Sequence, residues 1–115
     1  MIDQQTQTPS RVRDLNDTFR GNGPAGDGHW VLTRGVQALG PKAVAFAVRA
    51  VRNFSQFDED NDPHAEHDFG AFSLCGDRMV WKIDYYDLAL EAGSEDPADA
   101  TITTRVLTVM LAEEY

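Results

Sequence analysis

The chain has 115 residues, 42% of them apolar and 25% charged, with a formal net charge of −9. That length suits one domain around one core, and the composition excludes a disordered or membrane-spanning chain. Cys75 is the only cysteine, so an internal disulfide and a multi-cysteine zinc site are excluded too.

The opening MIDQQTQTPS has neither a basic nor an apolar stretch. No secretory signal is expected, and the cytoplasm is the default location. Residues 1–8 read as a flexible tail ahead of a single domain over 9–115. Thr8-Pro9 reads as a helix start, with Val12, Leu15 and Phe19 on one face and Gly21 ending the pattern. The loop from Gly21 to Gly28 formally matches G-x-G-x-x-G, but a helix precedes it and a strand-like run follows. That is the reverse of the order a dinucleotide site needs, and the match is rejected. Trp30 to Thr33 reads as a short strand. Gly40-Pro41 opens a second helix that buries Val44, Ala47, Val48 and Val51 and carries Lys42, Arg49 and Arg52 as a basic stripe.

Asn53 to Pro63 reads as a loop. Phe72 and Leu74, then Met79, Trp81, Ile83 and Tyr85, alternate around Gly76-Asp77, which reads as a two-residue hairpin turn. The opposite face, Val80, Lys82, Asp84 and Tyr86, is more polar. After a loop over Glu91 to Asp99, a last helix is expected, capped by Asp99 or Thr101 with Ile102, Val106, Val109 and Met110 on one side. The β-prone run TITTRV speaks against it. The order α-β-α-β-β-α gives an α+β fold: a small antiparallel sheet of about three strands with helices packed mainly on one face.

Charge is divided unevenly. Residues 1–56 carry a net +3 and residues 57–115 a net −12. Such a half repels a nucleic-acid backbone and suits a basic protein groove, although solubility alone also explains an acidic surface. Arg11, Arg13 and Arg20, with Lys42, Arg49 and Arg52, could merge into a phosphate-binding patch, but the overall charge opposes it and some of these arginines are expected to pair internally with the acidic half.

The densest cluster is Asp58, Glu59, Asp60, Asp62, His64, Glu66, His67 and Asp68. An EF-hand reading fails, because Pro63 stands where a glycine is needed and Phe69 where a bidentate glutamate belongs. His64, His67 and Asp68 could hold a divalent metal; the alternative is a structured loop whose Asp and Asn side chains cap backbone N–H groups. Asp84, Tyr86, Asp87, Glu95 and Asp96 form a second group, with Tyr86 an exposed anchor. Cys75 lacks a neighbouring base and reads as a plain buried thiol. No nucleophile elbow or P-loop is present, so no catalytic residue and no cofactor is expected.

The segments DEDNDPHAEHDFG, MVWKIDYYD and GSEDPADATITTRVLTVMLAEEY, after R-x-LND-x-F and VLTRGV, together resemble the domain-of-unknown-function family 3768 over about residues 11–115. The resemblance implies small alphaproteobacterial proteins often carried on plasmids and prophages, and by analogy an inhibitor of host defence. The leading expectation is therefore a non-enzymatic, anti-CRISPR-like protein. Its partner would be a host protein or ribonucleoprotein with a basic nucleic-acid-binding groove, not nucleic acid itself and not a membrane. Asp58, Glu59, Asp60, Asp62, Glu66 and Asp68 would form one arc of its surface and Asp84, Tyr86, Asp87, Glu95 and Asp96 another. The rival is a small metal-binding or metal-dependent enzyme using His64, His67 and Asp68. A homodimer joined through an edge strand is a third reading.

Overall fold

The computed structural model describes residues 4–26 and 28–115. A first helix, α1 (Gln4–Asn22), runs through a 3₁₀ turn (Gly23–Ala25) into strand β1 (His29–Leu32). Two helices follow, the one-turn α2 (Arg34–Gln37) and α3 (Pro41–Arg52). Strands β2 (Phe69–Leu74), β3 (Asp77–Tyr86) and β4 (Thr104–Leu111) complete the fold, and a 3₁₀ turn (Ala112–Glu114) closes the chain. The first three residues of the expected tail lie outside the described residues, and residues 4–8 belong to α1. Among the described residues no helix is long and apolar enough to cross a membrane.

The class is α+β, as expected, but the sheet has four strands in the order β1-β4-β3-β2 and is mixed. β1 runs parallel to β4, while the β2–β3 and β3–β4 pairs are antiparallel. The expected last helix is therefore a correction: Thr104–Leu111 is a central strand. Its sequence serves both periods. Ile102, Val106, Val109 and Met110 fall at helical spacing, whereas Arg105, Leu107 and Val109 alternate. Alternation prevails because β3 offers a long partner edge, with Trp81 opposite Val109, Ile83 opposite Leu107 and Tyr85 opposite Arg105.

One face of the sheet carries the core. Met79, Trp81, Ile83, Leu107 and Val109 pack with Phe19 of α1, Val36 of α2, and Ala47 and Val51 of α3. Trp81 is fully buried between Arg20, 5.2 Å from its ring, and the edges of Phe54 and Phe57. Gly70 lies opposite Trp81, and a Cβ there would meet the Trp81 Nε1 at 2.4 Å. The other face is partly covered by the C-terminal turn, where Tyr115 approaches Phe69 with ring centroids 5.6 Å apart.

The hairpin turn is placed one residue early relative to expectation. Leu74 pairs with Asp77, so Cys75 and Gly76 are its central residues, and both have positive φ, 52° and 87°. That is the primed turn whose twist matches the flanking strands. Cys75 is exposed at its tip, not buried.

Among the described residues the arginines of α1 form no ion pair with a carboxylate of the acidic half. Arg13 pairs with Asp14 and Arg20 with Asp17, both on the same helix. Arg20 is buried and donates through Nη1 to the carbonyls of Val51 (2.9 Å), Arg52 (3.3 Å) and Phe54 (2.9 Å). These carbonyls lie at the end of α3 and just beyond it, where a cation also complements the helix dipole. Arg11 donates to the Ala98 carbonyl.

Candidate functional site

Strand direction brings the two acidic segments together. β2 begins, β3 ends and β4 begins at one end of the sheet. The loop over residues 53–68 therefore enters, and the loop over 87–103 leaves, at the same edge of the molecule. Of the chain's nineteen Asp and Glu, twelve lie in these loops or at Asp84 near the end of β3.

Beneath the loops is a buried polar network. Asn16 of α1 is fully buried; its Nδ2 donates to the Glu66 carbonyl (3.0 Å) and the Tyr85 hydroxyl (2.8 Å). Its Oδ1 accepts from Arg105 Nε at 2.7 Å, and Arg105 Nη2 donates to the Pro97 carbonyl at 2.6 Å. Tyr85 in turn donates to Asp68 at 3.3 Å, and Arg105 lies over its ring at 5.2 Å. One asparagine thus ties both loops to the sheet. Burial pushes the Tyr85 phenol and the Asp68 and Glu66 carboxyls above their ordinary values and pulls the Arg105 guanidinium below its own.

Each acidic residue of the first loop has a definite place. Asp58 Oδ1 accepts from the N–H groups of Asp60 (2.9 Å) and Asn61 (3.0 Å), while Asp58, Glu59 and Asp60 stay exposed. Asp62 is 8% exposed; its Oδ1 accepts from the N–H groups of Glu66 (2.9 Å) and His67 (3.1 Å). It holds the loop from inside and presents little surface, so it drops out of the expected arc. Glu66 and Asp68 are half-buried. Ala65 and His67 both have φ of 55°, a left-handed conformation fixed by the Asp62 bonds.

The structure does not bring His64, His67 and Asp68 together as one set of ligands. His67 stacks on Phe57 with centroids 3.8 Å apart, its Nδ1 lies 2.9 Å from Asp17, and its Nε2 lies 3.6 Å from Asp62. Both ring nitrogens thus face carboxylates, while His64 is exposed and Asp68 faces Tyr85. Among the described residues no three His, Cys, Asp or Glu side chains are grouped to hold a metal ion.

In the second arc, Asp84 is ion-paired with Lys82 at 2.6 Å, a bond that raises the Lys82 pKa. Tyr86 is half-buried and bridges to Gly93; Asp87 accepts from the Glu91 N–H, and Asp96 from the Ala98 N–H. Glu95 and Asp96 are exposed. Sequence reasoning missed Asn16 and Arg105, which hold the two arcs in place. The only signal was positional: Asn16 lies one turn from Val12 on α1, and Arg105 alternates with Leu107.

A model of a family described as a protein of unknown function (DUF3768) matches residues 32–114. The chain belongs to that family. The match begins at Leu32, the last residue of β1, and takes in α2, α3, the strands β2, β3 and β4 and both acidic loops. No curated protein and no solved structure matches the chain.

Proposed function

We propose that this protein is a non-enzymatic inhibitor whose acidic end occupies a basic, nucleic-acid-binding groove of a host defence complex, most directly a CRISPR effector. We further propose that it acts in the cytoplasm and is encoded on a mobile element. The observation that supports this reading is the convergence of both acidic loops at one end of the sheet, pinned by Asn16. An exposed rim of Asp58, Glu59, Asp60, Glu95 and Asp96 on such an anchor gives a concentrated negative field at little conformational cost on binding. Asp84 adds less, since Lys82 neutralises it.

The test is displacement of target DNA from a purified effector complex, comparing the protein with a Glu59→Lys, Asp60→Lys, Glu95→Lys variant. All three side chains are exposed, so folding is preserved. The expected result is competition that weakens at least about tenfold in the variant and falls as salt is raised from about 0.1 to 0.5 M. Failure to compete, or equal competition by the variant, overturns the reading.

A further inference from the structure

A cavity of 420 Å³ lies between α1, the start of β4 and the loop after β3. Its wall includes the apolar Leu15, Phe19 and Leu88, the polar Thr18 and Thr104, and one cation, Arg105. The volume is within the range of about 300–1,000 Å³ typical of small-molecule sites, which pair apolar walls with a few fixed polar groups.

Arg105 is the unusual member of that wall. It is 6% exposed, yet among the described residues no carboxylate lies within ion-pair distance of its guanidinium. Two nitrogens are committed to neutral acceptors, Nε to Asn16 and Nη2 to the Pro97 carbonyl, and Nη1 has no hydrogen-bond partner there. Glu66 acts on it only through the longer-range field. A buried cation whose hydrogen-bond acceptors among the described residues are neutral gains from a carboxylate, which supplies a counter-charge and an acceptor for the remaining N–H groups. One guanidinium offers one charge, and the surrounding acidic loops repel a dianion. A monocarboxylate therefore fits better than a phosphate, and the Leu15, Phe19 and Leu88 surfaces fit an apolar body attached to it.

We infer that this cavity binds a small monocarboxylate with an apolar body, its charge held by Arg105 and its body by Phe19 and Leu88. The site is separate from the exposed acidic rim and does not depend on the inhibitor reading.

The probe is 3-phenylpropanoate, titrated into isotopically labelled protein and followed by amide chemical shifts. Its neutral amide, 3-phenylpropanamide, and acetate are titrated in parallel. Shifts centred on Thr18, Phe19, Leu88 and Thr104 are expected, with affinity at least about tenfold above that of either control. Arg105→Gln tests the cation but also disturbs Asn16. Leu88→Glu, at a side chain 66% exposed, therefore serves as the second variant. It should keep the fold and weaken binding at least about fivefold by charge repulsion and lost apolar contact. Equal affinity for acid and amide, equal affinity for acetate, shifts centred elsewhere, an unchanged Leu88→Glu affinity, or no shift by about 10 mM probe would each overturn the inference.

Discussion

Cys75 illustrates how one position can carry a local cost without disturbing the fold. Its φ of 52° places an ordinary side chain in the left-handed region, at the turn position where asparagine, aspartate and glycine are favoured. Cys75→Asn is expected to stabilise the protein by about 0.5 kcal/mol, read as a higher urea midpoint with an unchanged slope. A lower midpoint would show that the thiol makes a packing contact outweighing the turn preference. Asp62 and Asn16 are the contrasting cases. Both are buried and satisfied by several bonds, so they act as connectors of backbone segments rather than as surface charge.

At the scale of elements, the junction of α1 with α3 depends on Arg20. Its planar guanidinium reaches three carbonyls and Asp17 while lying 5.4 Å from the Phe57 ring and 5.2 Å from Trp81. A lysine ammonium cannot reproduce that fork or the stacking. Arg20→Lys is expected to cost about 2 kcal/mol and Arg20→Met about 3 kcal/mol, since each takes the guanidinium donor from the Arg52 and Phe54 carbonyls. Amide exchange should then quicken at Asn53 and Phe54, the residues that close α3 onto Arg49 and Val51. Exchange unchanged there, despite lost stability, would mean that Arg20 matters through its contact with Trp81 instead.

For the whole molecule, the burial of two carboxyls at the acidic end shapes the pH dependence. Burial raises Glu66 and Asp68 from their ordinary values of 4.5 and 3.8, so each carboxyl holds its proton more tightly in the folded than in the unfolded chain. Below the unfolded values both states are protonated and no penalty exists. As pH rises through the higher folded values, the folded chain must give up those protons, and stability falls. Glu66→Gln is therefore expected to raise the melting temperature at pH 7, with the difference from the parent protein closing by about pH 4. A variant that melts lower at pH 7 would show that the ionised Glu66 is held favourably by Arg105 and that the network needs its charge. Asp99 and Glu114 have the opposite sign, held low by bonds from Thr101 and Thr33, and lose their contribution as pH falls.

The sequence by itself determined the α+β class, the second helix from Pro41, the inward row Met79, Trp81, Ile83 and Tyr85, and the acidity of the second half. These follow from local periodicity and composition, which need no knowledge of neighbours. Only the tertiary structure decided the rest. Residues 104–111 satisfy helical and alternating patterns alike, and the long open edge of β3 selects the strand. Position in sequence also hides that Asn16, Glu66, Tyr85 and Arg105 meet, because their contacts span 50 to 89 residues. The same packing withdrew Asp62 and His67 from the surface, since chain reversal at Ala65 turned them inward onto backbone N–H groups and Asp17. Where a charge sits along a chain is local information; whether it meets solvent, a carboxylate or a buried arginine is settled by which strands become neighbours.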